Sequence, residues 1–238
     1  MHLLLTRPEL DAERTAIALR ARGHAVIIAP LLHIEALTDA PLDAGPWAAI
    51  LVTSANAAHG IAAHGRHKAL CGVPVFAVGR RSAEAMRTAG FTDVISADGD
   101  VSDLVGLVAG RAKTGAPMLY LAGADRAGDL AGDLSKLGMS VNTVMIYRVV
   151  AASALAPTAA DALAGGIDGV LHFSHRSAET YLKAARNTGV LAQALKPAHY
   201  CLSAHVAEPL AHAGALIVRV APQPAEAAMI ELIGSAPL

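Results

Sequence analysis

Short apolar runs alternate with longer amphipathic stretches along the chain, and several of those stretches close on a glycine. Near the N-terminus "HLLLT" is followed by "PELDAERTAIALRARG", in which Leu10, Ile17 and Leu19 alternate with charged positions, and then by "AVIIAP". Apolar positions on one helical face, a glycine where the helix must stop and a short wholly apolar run predict a strand, a helix closed at Gly23 and a buried strand. The same reading recurs at "AAILVTSAN", "VPVFAVG", "TDVISA", "PMLYLAG", "VNTVMIYR", "DGVLHFS", "AHYCLS" and "ALIVRVAP", each beside a helix-like segment. Strands that lack a polar face need cover on both sides, so the pattern predicts an α/β fold with parallel sheets flanked by helices.

The pattern also repeats. "LVTSANAAHGIAA" at 51–63 aligns with "LHFSHRSAETYLK" at 171–183, setting Ser54 against Ser174. "VFAVGRRSAEAMRTAGF" at 75–91 aligns with "HYCLSAHVAEPLAHAGA" at 199–215, bringing Gly90 onto Gly214, and "ALRARGHAV" at 18–26 aligns with "DLSKLGMSV" at 133–141. Three matches at similar shifts point to a duplicated unit. Because the partner of the third lies at the N-terminus, the chain would start one domain, build the whole of a second and return to finish the first. The expected division is domain 1 at 1–34 plus 155–238 and domain 2 at 42–148, with linkers at 35–41 and 149–154. A double crossing limits twisting yet permits a hinge, which suits a cleft that closes on a ligand.

Composition narrows the function classes. The 238 residues are 54% hydrophobic and 16% charged, enough to bury the cores of one large or two small domains. Lys and Arg number 19 against 20 Asp and Glu, with no block of like charges, so neither a nucleic-acid partner nor a membrane-surface arm is expected. "MHLLLTRPEL" meets a proline and an acidic residue too soon for a secretion signal or a membrane span, which predicts a cytoplasmic protein. Cys71 and Cys201 have no metal-ligand spacing and read as free structural thiols. His59, His64 and His67 lack the i, i+4 spacing of a zinc helix and read as a solvated face, so no metal is expected. "VAGRAKTG" and "GADRAG" do not fit a phosphate-binding loop, and no nucleophile elbow is present.

In open α/β sheets ligands bind beyond the carboxyl ends of the strands, where helix N-termini offer unpaired N–H groups. Thr53, Ser54 and Asn56 fall there, as do Ser174, Arg176 and Ser177 in the repeat. Each of these hydroxyl and amide side chains could simply cap its own helix. Matching polar turns in two domains favour a shared anionic ligand. Tyr147 closes a strand where the chain leaves domain 2, and is either a boundary aromatic with a wet hydroxyl or a donor into the cleft.

"LLLTRPELDAERTAIALRARGHAVIIAPLLHIEAL", "ILVTSANA", "VFAVGRRSAEAMRTAGF", "LYLAGADRAGDLAGDLSKLG", "VMIYRV" and "VLHFSHRSAETYL", in this order and spacing, resemble the uroporphyrinogen-III synthase family over nearly all of the chain. The resemblance implies two flavodoxin-like α/β domains joined by a two-stranded linker, and a lyase reaction. Linear hydroxymethylbilane loses water, ring D is inverted, and the macrocycle closes to uroporphyrinogen III without a cofactor. It further implies a monomer, with transient handover of substrate from hydroxymethylbilane synthase as an expected partnership.

Carried over onto this chain, the resemblance assigns substrate contacts to Thr53, Ser54, Ser82 and Ser174 and an interdomain role to Tyr147. Arg7 and Arg126 join them as carboxylate partners. The backbone amides around Ser54 and Ala55 are expected to hold substrate carboxylates. Where many relatives have a glycine turn with threonines, this chain has "LSAHVAEP"; Ser203 would replace that contact, while the Val206 side chain cannot donate a hydrogen bond. The competing function is a two-domain cytoplasmic binding or regulatory protein that closes on a small anion without chemistry.

Overall fold

A computed structural model describes residues 1–43, 45–111, 117–125 and 128–234. Arg126 therefore lies outside the described residues. The chain forms two compact units, one made of Met1–His33 with Val150–Leu238 and the other of Ile34–Val149. The first opens with β1 (His2–Leu5), α1 (Glu9–Arg20) and β2 (Ala25–Ile28), and the chain leaves it along β3 (Leu32–Ala36). The second holds β4 (Ile50–Val52), α2 (Asn56–Ala62), α3 (His67–Leu70), β5 (Val75–Ala77), α4 (Arg80–Thr88), β6 (Val94–Ser96), α5 (Val101–Arg111), β7 (Met118–Gly123) and α6 (Leu130–Lys136). The chain returns along β8 (Val141–Ala151). The first unit is then completed by α7 (Pro157–Gly165), β9 (Gly169–His172), α8 (His175–Asn187), α9 (Leu191–Ala194), β10 (Ala198–Cys201), α10 (Ala204–His212), β11 (Ile217–Val220) and α11 (Glu226–Ile233).

The sheet of the first unit has the order β11-β10-β9-β1-β2 and that of the second β3-β8-β7-β4-β5-β6. The pairings from β1 and β2 through β9 to β11, and from β6 through β4 to β8, are parallel. β3, by contrast, runs against its neighbour: the Leu37 amide donates to Ile146 O and the Ala152 amide to Leu31 O. Arg148 clamps Glu35 through two hydrogen bonds of 3.0 and 2.7 Å across these two crossing strands. Strand for strand, β7 and β8 take the places in the second sheet that β1 and β2 take in the first. The three sequence matches thus join β4 and α2 to β9 and α8, β5 and α4 to β10 and α10, and the end of α1 with β2 to α6 with β8. Gly90 and Gly214, matched by the repeat, follow α4 and α10 at φ of 95° and 88°, a left-handed conformation that glycine adopts without a Cβ penalty.

Each sheet is covered on both faces, because successive residues of a strand point to opposite sides. In the first unit Leu4 and Val170 pack under Tyr181, Leu182 and Leu210, while Leu3, Leu5 and Leu171 pack against Leu19 and Met229. In the second, Ile50, Val52, Leu119 and Leu121 meet Ile61 and Met86, and Leu51, Phe76 and Tyr120 meet Leu104 and Leu134.

Three local expectations are revised. "AVIIAP" forms β2 but is only partly buried, because β2 is the edge of its sheet. Ile17 is 65% exposed, and α1 instead buries the small Ala12 and Ala16 beside Leu19. His64 belongs to no solvated face: it is buried, with Nε2 3.1 Å from Ala40 O, and His67 Nε2 lies 2.6 Å from Ala89 O. Both cysteines are free, and burial pushes the Cys201 thiol up to about 12.

Inside the first unit two fully buried histidines touch, with His172 Nε2 3.1 Å from His199 Nδ1 and the Tyr181 ring edge-on to both. Burial and the neighbouring His199 hold His172 well below its ordinary value; burial lowers His199 to about 4. Below pH 6.5 the unfolded chain takes up protons that this pair refuses, so stability falls as the pH drops from 6.5 towards 4, by about 1.4 kcal/mol per pH unit for each histidine. Thermal unfolding at pH 7 and pH 5 should show this loss, and His199→Gln should roughly halve it. An unchanged pH dependence in the variant would place the acid sensitivity elsewhere.

Candidate active site at the strand ends

Each sheet has one point at which neighbouring strands send the chain off in opposite directions, and this is where doubly wound α/β folds bind ligands. In the second unit it lies between β4 and β7, paired Ile50 with Leu119 and Leu51 with Tyr120. The residues just beyond β4 are Thr53, Ser54, Ala55 and Asn56. Thr53 Oγ1 lies 2.8 Å from the Tyr120 hydroxyl, and the Asn56 amide donates to Ser54 Oγ at 3.2 Å. Ser54 also stands close enough to the Tyr147 hydroxyl to lower its pKa. Among the described residues the Ser54 and Ala55 amides have no hydrogen-bond partner.

Tyr147 comes to this cluster from β8, which runs on past the end of β7. The β7–β8 register shifts at Ala122 and Gly123, so that Gly123 pairs with Tyr147 and the Ala124 amide donates to Tyr147 O. The tyrosine ring lies on Gly123: a Cβ there would be 2.6 Å from Cζ and 2.8 Å from the hydroxyl. Burial raises the Tyr147 pKa, Ser54 partly opposes that, and the nearby Tyr120 and Asp125 raise it further. The hydroxyl is thus a protonated donor at neutral pH. Tyr120 and Gly123 are the members of the cluster that sequence reasoning missed, since "PMLYLAG" reads only as a buried strand.

At the equivalent point of the first unit, between β1 and β9, the polar side chains are paired with one another. Ser174 is the N-cap of α8 in a reciprocal box with Ser177: the Ser177 amide donates to Ser174 Oγ at 3.1 Å and the Ser174 amide to Ser177 Oγ at 3.2 Å. Arg7 lies 4.1 Å above the Phe173 ring and binds Glu226 at 2.9 Å, Thr15 at 3.1 Å and Asp11 at 3.4 Å. Burial would raise the Glu226 carboxyl, but hydrogen bonds from Thr15, Arg7 and Arg14 hold it below its ordinary value. Arg7 is therefore part of an internal ion-pair network. Arg176 is exposed in the first turn of α8, and Ser203 is the N-cap of α10, accepting from the Val206 amide at 3.4 Å. Ser82 is buried in the first turn of α4, after its N-cap Gly79. Thr53, Ser54 and Tyr147 are brought together within one unit, with Ala55 and Asn56 in the same turn; Ser82 belongs to a neighbouring element.

Two related doubly wound sheets, one carrying hydroxyls and open amides where its strand order reverses, define a duplicated α/β protein with a strand-end site suited to an anionic ligand. The family described as "Uroporphyrinogen-III synthase HemD" matches residues 13–231. The chain belongs to the uroporphyrinogen-III synthase family, whose members are cyclising lyases. The crystal structure of uroporphyrinogen-III synthetase from Helicobacter pylori 26695 is similar over 98% of this chain and 97% of its own, at 16% identity and a TM-score of 0.64. A mutant uroporphyrinogen III synthase from the extremely thermophilic bacterium Thermus thermophilus covers the same shares at 16% identity and a TM-score of 0.48. At 16% identity the likeness to the Helicobacter pylori structure concerns the fold. No curated protein sequence gives a significant match.

Because the Tyr147 ring would have to yield, Gly123→Ala should cost about 1–3 kcal/mol of stability while moving the hydroxyl away from Ser54. Activity of the folded variant, assayed well below its melting temperature, should drop about tenfold or more. Full activity in this variant would show that the hydroxyl's position is not critical.

Proposed function

We propose that the chain carries out the family reaction through the Thr53–Ser54–Tyr147 cluster, the buried phenol of Tyr147 assisting departure of the hydroxyl from hydroxymethylbilane. The observation that carries this reading is a buried, protonated hydroxyl beside Ser54 at the point where the sheet opens. Proton transfer from Tyr147 would release water and leave an electrophilic azafulvene. Ring D then attacks through its substituted α-carbon to form a spiro intermediate; the bond from that carbon to its original methylene bridge breaks, the freed methylene rejoins ring D at its unsubstituted α-carbon, and the proton displaced there returns to the phenolate. The open amides of Ser54 and Ala55 are suited to substrate carboxylates, since backbone N–H groups bind anions without a strongly basic surface. Asn56, Ser82, Ser174, Arg176 and Ser203 are proposed as further carboxylate contacts. Arg7 would first have to leave Glu226. Holding the chain ends in the attacking geometry matters at least as much as the acid, because the free bilane closes unaided to the wrong isomer.

We place the enzyme in the cytoplasm as a monomer that meets hydroxymethylbilane synthase transiently. Among the described residues no helix is long and apolar enough to cross a membrane, and the net charge of −1 offers no steering towards a polyanion.

Incubation with enzymatically generated hydroxymethylbilane, followed by oxidation and chromatographic separation of the porphyrin isomers, should yield the type III isomer. Type I alone would overturn the assignment. At saturating substrate Tyr147→Phe should lower kcat about 100-fold, the usual worth of a general acid. Ser54→Ala removes the acceptor of the Asn56 amide and the polar neighbour of the Tyr147 hydroxyl, and should cost about threefold to tenfold. An undiminished kcat in Tyr147→Phe would end the acid role and leave Tyr147 a binding group, whereas complete loss in a folded Ser54→Ala would make the hydroxyl essential.

A further inference from the structure

His175 opens α8 and His205 lies in the first turn of α10. Their imidazoles stack across the two helices with ring centroids 4.4 Å apart and planes 14° from parallel. A carboxylate from its own helix accompanies each ring: Glu179 Oε2 is 3.4 Å from His175 Nδ1, and Glu208 Oε2 is 3.2 Å from His205 Nδ1. Helical spacing accounts for each His–Glu pair but not for the meeting of two histidines from different helices. One donor atom from each of His175, His205 and Glu208 lies within 4.8 Å of the other two.

That donor set has a definite preference. Two imidazoles and one carboxylate suit dications of the zinc, cobalt and nickel type, whereas magnesium and calcium favour all-oxygen sites. Tetrahedral bonds of about 2.0–2.1 Å set neighbouring donor atoms about 3.4 Å apart. His205 Nδ1 and Glu208 Oε2 already have that spacing, and the His175 ring would close the rest by moving the tip of one side chain. Glu179, beside His175, is placed to orient its ring as outer-shell carboxylates do.

We infer that His175, His205 and Glu208 form a three-ligand site for a zinc-type dication that ties the first turn of α8 to the first turn of α10. The fourth position is left to water or to an exogenous carboxylate. The positive dipole ends of both helices oppose the ion, so the affinity is about micromolar and not that of a structural zinc site.

Calorimetric titration of Zn2+ into the tag-free, chelator-stripped full chain should give one ion per chain. Co2+ in its place should produce the visible absorption of a four-coordinate complex. His175→Ala and His205→Ala should each weaken binding about 30-fold or more, Glu208→Gln about tenfold, and Glu179→Gln less than either histidine variant. His205, Glu208 and Glu179 are exposed and His175 is half-buried, and circular dichroism would verify that the variants fold. No Zn2+ uptake, or uptake unchanged in both histidine variants, overturns the site. The readout is binding alone, so it stands or falls separately from the reaction assigned to Tyr147.

Discussion

A parallel sheet buried under helices on both faces has only its strand ends at which backbone amides, side chains and a ligand can meet. Everything functional in this chain follows from that constraint. The faces of both sheets are filled mainly with leucine, isoleucine, valine and alanine, and most of the polar residues of the candidate site stand in the few positions between a strand's last residue and the next helix. Where neighbouring strands continue in opposite directions, no crossing loop covers the gap, and that gap holds Thr53, Ser54 and the tyrosine hydroxyls.

Duplication gives the same opening twice, but one substitution pattern makes the two chemically unequal. Ser174 is followed three residues later by Ser177, whose hydroxyl returns the hydrogen bond and closes the cap. Ser54 is followed three residues later by Ala57, which has nothing to return. The Ser54 side chain turns to the Asn56 amide and to Tyr147, and its own amide is left open. A closed cap stabilises a helix by about 1 kcal/mol, whereas an open one leaves amides available to an anion, and the proposed chemistry falls in the unit that forgoes the cap.

The architecture was legible because its signals are local or periodic. Wholly apolar runs such as "HLLLT" and "PMLYLAG" mark covered strands, and the matched glycines Gly90 and Gly214 mark equivalent helix ends. The paired polar turns were legible for the same reason. What escaped depends on contacts distant in sequence. Tyr120 acquires its role only through the register that sets it beside Leu51 and within reach of Thr53, 67 residues away. Arg7 reads as a free cation until Glu226, 219 residues on, claims it. Ile17 fits the expected apolar face of α1, yet the close approach of that helix to its sheet is made by Ala12 and Ala16, and the larger side chain faces solvent.

The proposed role of the cluster around Tyr147 also reconciles binding of a polyanionic substrate with a net charge of −1. An arginine beside the phenol would attract substrate carboxylates, but it would equally favour phenolate and so weaken the hydroxyl as an acid. Among the described residues the charges around the phenol act the other way. Burial comes first in raising the Tyr147 pKa, Asp125 adds to it, and Ser54 works against it. Amides supply attraction without that penalty: their partial charges are fixed in direction and can point at a carboxylate without facing the phenol oxygen. Anion binding through the backbone and proton donation through a buried hydroxyl are therefore compatible within one turn, which binding through a cation at that spot would not be.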